Sequence, residues 1–235
     1  MTIARYLANL GYGTRKETTR LLEHCRVTRA SGEPLREGDS FVHGDVRMDG
    51  EPLDPPPGSV IMLHKPVNYV CSTRDVAPLV YELLPRRFLH RKPVIAPVGR
   101  LDRNTSGLLL LTDDGSLNHR LTSPRRHLVK IYEARLANPL RGDEAAIFEG
   151  GTLMLNSETR PLAPAVLKVC DDQRVRLTLT EGRYHQVRRM FAAVGNHVVT
   201  LHRVAIGSLL LGDLEPAAWR VLDNQEVGSL LEVSP

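Results

Sequence analysis

The sequence predicts an α+β protein made of two unequal units, a small N-terminal one and a larger one built on a sheet. Three observations carry this reading. Apolar residues recur at helical spacing near the N-terminus, three consecutive prolines stand at Pro55, Pro56 and Pro57, and beyond them strand-like apolar or alternating runs are interleaved with short helical ones. At 235 residues and 42% hydrophobic content, the chain is long enough for one substantial domain with a small accessory one.

Ile3, Leu7 and Leu10 stand at i, i+4 and i+7, so a first helix buries one stripe, and Gly11 and Gly13 end it. Thr14-Arg15-Lys16-Glu17 has the form of a capping box. It opens a second short helix to about His24 that buries Leu21 and Leu22 and leaves Arg15, Lys16 and Arg20 outward. Arg26-Val27-Thr28 and Asp45 to Gly50 read as strand-like. Charge is polarised here, with six Lys/Arg against two acids over residues 1–30, then two Arg against seven acids over 31–60. Asp54-Pro55-Pro56-Pro57-Gly58 reads as an extended, semi-rigid linker. The expected units are therefore 1–54, a linker at 55–59, and 60–235.

In the second unit, Val60 to Lys65 is an apolar run ending at Pro66, a buried strand leading into a loop. Val94 to Val98 and Leu108 to Thr112 read as strands on either side of a glycine-bounded loop that holds Asp102 between Arg100 and Arg103. A carboxylate at the lip of a strand whose four leucines must be buried is well placed to react, although Asp and Asn in loops more often bond their own backbone. Asp113-Asp114-Gly115 ends that strand. Such adjacent acids are far more often a turn and an N-cap than a hydrolase pair, and a short helix from Ser116 to Leu121 follows, before Ser123-Pro124. Lys130 to Leu136 alternates as a half-buried strand does, with Tyr132 on it. Arg141 to Glu149 reads as a helix ended by Gly150-Gly151. Ala165 to Cys170 and Val175 to Thr180 form an apparent hairpin around Asp171-Asp172-Gln173. Val187, Met190, Phe191 and Val194 make one helical face, with Gly195 as its cap and Arg188 and Arg189 flanking it. Val198 to Leu211 is again strand-like. Basic charge gathers in these segments, with ten Lys/Arg against three acids from Arg86 to Lys130 and four arginines without an acid from Gly182 to Arg203.

The stretch from Gly99-Arg100-Leu101-Asp102-Arg103-Asn104-Thr105-Ser106-Gly107 through Gly115 closely resembles the catalytic-aspartate motif of RNA pseudouridine synthases, in the form that modifies ribosomal RNA and carries an N-terminal S-four-type RNA-binding domain. Further motifs follow in family order. His64-Lys65-Pro66-Val67-Asn68-Tyr69-Val70 is similar to the first motif, with Asn68 at the family's glycine, a residue that tolerates positive φ. Lys130-Ile131-Tyr132 is similar to the active-site tyrosine motif. Glu181-Gly182-Arg183-Tyr184-His185-Gln186-Val187-Arg188-Arg189-Met190-Phe191 is similar to the last one, and Leu201 to Gly207 to the closing segment. The N-terminal helices and strands resemble the S-four module more loosely, with a longer, more acidic loop from Arg29 to Asp39.

This resemblance implies a small N-terminal α/β RNA-binding domain and a larger domain of pseudouridine-synthase type with a mixed, mostly antiparallel sheet. The implied reaction isomerises a uridine of ribosomal RNA to pseudouridine, the branch being the one that acts on small-subunit (16S) rRNA. Asp102 becomes the catalytic carboxylate, Arg188 its paired arginine with Arg183 as second choice, and Tyr132 a residue that stacks on the flipped base or moves a proton. Lys65 would help hold substrate phosphate. Arg100, Arg103 and Arg183, with Arg15, Lys16, Arg20 and Arg26 of the first unit, would meet the RNA.

Such a reaction is neither redox nor hydrolytic, so no cofactor is expected, and His185, His197 and His202 are too spread to make a metal site. Cys25, Cys71 and Cys170, widely spaced, suit a reducing cytoplasm. No run approaches membrane-spanning length. A cytoplasmic monomer acting on ribosomal RNA, free or within a partly assembled small subunit, is the expectation. Two alternatives stay open: a synthase of large-subunit rRNA, and a non-catalytic rRNA-binding assembly factor on the same fold.

Overall fold

The computed structural model describes residues 1–123 and 126–232. Its first helix, α1 (Ile3–Leu10), buries the predicted stripe and stops at Gly11, whose φ of 92° closes the last turn in the left-handed region. In α2 (Arg15–Glu23) the capping box is formed, with the Thr14 N–H donating to the Glu17 carboxylate at 2.6 Å and the Glu17 N–H to the Thr14 hydroxyl at 3.3 Å. The buried Thr18 hydroxyl donates to the Ala4 carbonyl at 2.9 Å and ties the two helices together. They cover a three-stranded antiparallel sheet of β1 (Val27–Arg29), β2 (Val46–Met48) and β3 (Glu51–Pro52). Asp49 and Gly50, both at positive φ, make the tight turn between β2 and β3.

The remaining strands form one nine-stranded sheet: β4 (Val60–Lys65), β5 (Ala96–Val98), β6 (Thr105–Thr112), β7 (Lys130–Leu136), β8 (Val166–Val169), β9 (Arg174–Leu179), β10 (Val198–Ile206), β11 (Leu209–Leu210) and β12 (Trp219–Val221). The order across it is β12-β4-β6-β10-β7-β9-β8, with β5 added to β6 and β11 to β10. β10 runs parallel to β6 and every other pairing is antiparallel, the mixed sheet that was expected. The leucine run of β6 does not alternate because both its faces are covered. Leu108 and Leu110 pack with α3 (Gly115–Thr122) and α6 (Asn224–Leu231), whereas Leu109 and Leu111 pack with Val80, Tyr81 and Phe88. Over the far half of the sheet, α4 (Glu144–Glu149) and α5 (Gln186–Ala193) bring Phe148 and Phe191 edge to face, 5.3 Å between ring centres.

Differences from the sequence expectations are local. The helix expected from Arg141 starts at Glu144, whose buried carboxylate accepts from the Arg141 and Gly142 amides at 2.9 Å each and folds them into a turn. β12 and α6 have no counterpart among the expectations. Three residues are too few to show an alternating pattern, yet Trp219–Val221 closes the β4 edge of the sheet. The stop expected at Pro124 lies outside the described residues.

The Asp54–Gly58 segment, read as a spacer, is pinned along its length. Asp54 is buried against Arg87, which meets its carboxylate with two nitrogens, and the Arg87 guanidinium lies 5.4 Å over the Tyr12 ring. The Pro55 carbonyl accepts from Arg91 at 2.8 Å, and the Gly58 N–H donates to Asp113 at 2.7 Å. Arg91 and Asp113 themselves form a buried ion pair at 2.8 Å. Gly11 completes the junction, since a Cβ there would lie 2.1 Å from the Arg87 carbonyl oxygen. Removing one partner of a buried pair leaves an uncompensated charge, so Asp113→Ala is expected to lower the unfolding free energy by about 3–5 kcal/mol. Urea denaturation checks this, and a loss below about 1 kcal/mol, the range of an exposed pair, would contradict it.

Candidate active site

Asp102 lies in the loop that joins β5 to β6. Loops tend to be mobile, but here four consecutive carbonyls are tied down. The Asp102 carbonyl accepts from the Thr105 N–H at 3.0 Å and the Arg103 carbonyl from the Asn68 N–H at 2.7 Å. The Asn104 carbonyl accepts from Arg188 Nη2 at 2.8 Å, and the Thr105 carbonyl from Lys65 Nζ at 2.8 Å. Asn68 makes its bond from a left-handed turn with φ of 72°, the conformation it was expected to tolerate in place of glycine. With its backbone held from a strand, a loop and a helix, Asp102 lines a cleft of about 350 Å³.

Beside that loop runs a cross-strand row. Register places Lys65, Gly107, Arg203 and Tyr132 side by side on β4, β6, β10 and β7, and residues directly opposite one another share a face. Gly107, with φ of 110°, has no side chain to place there. A Cβ would meet the Arg203 carbonyl oxygen at 2.2 Å. Arg203 is buried, donates from Nε to the Leu108 carbonyl at 2.8 Å and reaches the Tyr132 hydroxyl at 3.4 Å. Its Nη2 is buried without a partner among the described residues. A buried unpaired donor is costly, and a polar atom of a bound substrate is what would satisfy it.

Arg203 and Tyr132 line the cleft, as do Arg100 and Lys130. Burial, and then the neighbouring Arg203, hold the Lys130 ammonium below the usual lysine range. Lys65 is fully buried, and desolvation pushes its pKa down to about 8 although Cys71 and Asp102 favour its charge. The imidazole of His185 lies beside the Asp102 carboxylate, with Nε2 3.4 Å from Oδ1. His185 precedes α5 in a left-handed conformation, φ 49°, and its ring stacks on that of Tyr184 at 3.9 Å. The arrangement offers a carboxylate fixed in place, an aromatic wall and several cations around a cleft large enough for one nucleotide base.

The family model for RNA pseudouridylate synthase matches residues 59–193, which hold the Asp102 loop, Tyr132 and the whole of α5. The chain belongs to this family. It is 47% identical to the ribosomal small subunit pseudouridine synthase A of Escherichia coli (strain K12), over 98% of this chain and 100% of that one. With the protein of the same name from Yersinia pestis the identity is 43%, over 98% of each. A crystal structure of a pseudouridylate synthase superposes with a TM-score of 0.69 at 37% identity, over 98% of this chain and 99% of the other.

The cleft brings together Asp102, Tyr132, Arg100 and Arg183 of the expected residues. Arg103 is exposed on the same loop, and Arg15, Lys16 and Arg20 are exposed on α2. Four expectations change. Arg188 forms no ion pair with Asp102, because its guanidinium reaches the loop from the backbone side and donates to the carbonyls of Asn104 and Val198, each at 2.8 Å. Arg183 is held by Glu158, Glu181 and the Arg160 and Pro161 carbonyls, so it braces the neighbouring loop and has no free charge for Asp102 or for phosphate. Lys65 cannot reach phosphate, since its ammonium lies under the loop on the Pro66 and Thr105 carbonyls. Arg26 faces solvent but is paired with both oxygens of Asp49. The paired acids resolve as a turn and a cap, Asp113 with Arg91 and Asp114 accepting from the Leu117 N–H at 3.0 Å.

Arg203 and His185 are the site residues that the sequence reading passed over. Arg203 lies inside a strand-like run, and only its register with Gly107 and Tyr132 reveals its place. His185 stands too far from His197 and His202 in sequence to suggest a metal site, and its position directly before a helix is the signal that it faces a loop. Among the described residues, no group of three His, Cys, Asp or Glu is placed to hold a metal.

Lys65 makes the clamp sensitive to pH. Its folded pKa of about 8 lies below the ordinary 10.5, so between these values the unfolded chain binds the extra proton and folding becomes more favourable as pH rises. The stability of wild type relative to Lys65→Met is therefore expected to increase from pH 8 to pH 10 in chemical denaturation. A difference that is flat or falls over that range would contradict the assignment.

Proposed function

We propose that the chain is a pseudouridine synthase of small-subunit ribosomal RNA that uses Asp102 as its reactive carboxylate. The observation that carries the assignment is the Asp102 loop itself, whose four consecutive carbonyls are anchored while the carboxylate lines a cleft rimmed by cations. The small-subunit substrate is supported by relatives that align over essentially their whole length and are named for that activity. Among the described residues no helix is long and apolar enough to cross a membrane. The proposal is of a monomer working in the cytoplasm on rRNA, free or in a partly assembled subunit.

The target uridine leaves its stack and enters the cleft, where Tyr132 packs against the base and Arg203 offers its unpaired N–H. Asp102 attacks the sugar or the uracil ring, or assists a glycal route as a base. The bond from N1 to the sugar breaks, the uracil turns, and C5 bonds to the same sugar carbon. The C5 proton passes to solvent, N1 takes up a proton in its place, and any bond made to Asp102 breaks to return the free carboxylate, so the isomerisation balances without oxidant or reductant. Residues 1–54 serve as the RNA-binding unit through the exposed Arg15, Lys16 and Arg20, the segment 55–59 joins it to the catalytic unit of 60–235, and Arg100 and Arg103 meet phosphate beside the cleft.

Tritium release from small-subunit rRNA labelled at uracil C5, measured with chelator present, tests the proposal. Wild type is expected to release tritium, and Asp102→Asn to lose about 10⁴-fold or more of that rate while binding the RNA with unchanged affinity that falls steeply with salt. Binding without release by both proteins would instead favour the assembly-factor reading, and release only from large-subunit rRNA would move the substrate.

A further inference from the structure

We propose that the outer face of Tyr184 is a stacking platform for a nucleobase of the RNA that flanks the extruded uridine. The inference rests on the functional reading above and adds a contact which that reading lacks. Tyr184 is 68% exposed, although it lines the same cleft as Asp102, and a tyrosine is ordinarily buried to an intermediate degree. One of its faces is covered, because the His185 ring lies 3.9 Å away and only 15° from parallel. Successive side chains on a helix or strand point apart. The left-handed backbone at His185, a strained conformation in a residue other than glycine, brings the two rings to the same side.

The mount is as ordered as the stack. Arg189 donates to the Tyr184 carbonyl at 3.2 Å and to Glu158 at 2.8 Å, and the Arg183 N–H donates to Gln186 Oε1 at 2.8 Å. An aromatic ring is thus held at the mouth of the cleft on a fixed backbone, with one face supported and the other open to solvent. Bases stack on such surfaces whatever their identity, since every base has a π-face. At the inner end of the stack, His185 reaches Asp102 at 3.4 Å. A base on Tyr184 would stand two ring layers from the reacting carboxylate, the place of a neighbour of the uridine rather than of the uridine itself. Arg100, exposed in the same cleft, supplies charge for the connecting phosphate.

Steady-state tritium release from C5-labelled small-subunit rRNA by the full chain provides the test. Tyr184→Ala is expected to raise KM roughly 5- to 100-fold, the effect of losing one base–aromatic stack, with kcat changed by less than about threefold. Tyr184→Phe and Tyr184→Trp, which keep the π-face, are expected to restore the low KM. Because the ring is exposed, the alanine variant is expected to melt as wild type does. The second readout is fluorescence of Tyr184→Trp in an Asp102→Asn background, where the complex cannot turn over. The natural Trp219 lies 5.5 Å from Phe88 on the β12 edge of the sheet, and the introduced indole is expected to be quenched when the same RNA is added. An unchanged KM in Tyr184→Ala, a loss confined to kcat, a Phe variant as impaired as Ala, or no quench at saturating RNA would each overturn the platform. Absence of tritium release by wild type would overturn the functional reading on which it rests.

Discussion

Gly107 is the point at which the two halves of the catalytic sheet are allowed to meet. β6 and β10 are the parallel pair in an otherwise antiparallel sheet, and at Gly107 a Cβ would stand 2.2 Å from the Arg203 oxygen and 2.6 Å from its nitrogen. Any side chain there would force the strands apart. It would also fill the row between Lys65 and Arg203, the two buried cations that neighbour it across the sheet. Every other part of the site is placed by reference to this contact. The Asp102 loop feeds directly into β6, Arg188 ties that loop to the first residue of β10, and Arg203 carries the row on to Tyr132.

The use of charge follows from the same geometry. The role proposed for Asp102 asks for a carboxylate that is held without being neutralised by a permanent close partner. The fold holds the Asp102 backbone with an arginine and a lysine and leaves the carboxylate beside a histidine, whose charge depends on its own proton. Cations aimed at carbonyls make strong, directional bonds, and they position the loop while keeping their charge near the cleft. Elsewhere arginine is structural in a different sense. Arg87 and Arg91 fix the Asp54–Gly58 segment through defined contacts.

Much of this was legible in the chain because the signals were local. The helix caps at Gly11 and Thr14, the buried leucines after Asp102, the Asn68 turn and the hairpin around Asp171 are each written within a few residues, and each forms. What could not be read depends on register between distant strands. Lys65 resembles a phosphate-binding lysine until β4 is laid against β6 and its ammonium is found under the loop. Arg188 and Arg183 stand five residues apart in one motif, and nothing in their spacing says that one holds the loop backbone while the other braces Glu158 and Glu181. Arg203 becomes a site residue only because Gly107 lies beside it. The β12 strand and α6 carry weak signals for a simpler reason: a three-residue edge strand has no period to detect, and α6 is announced by little beyond the Asp223-to-Glu226 capping box that opens it.

The most direct measurement of this account is the behaviour of Gly107→Ala. If the close approach of β6 and β10 organises the site, this single methyl group, far too small to block the cleft, should lower the chemical-denaturation midpoint and reduce tritium release from C5-labelled rRNA by at least about tenfold per folded molecule. Binding of the same rRNA should persist. A Gly107→Ala protein as stable and as active as wild type would contradict the central role given to that contact.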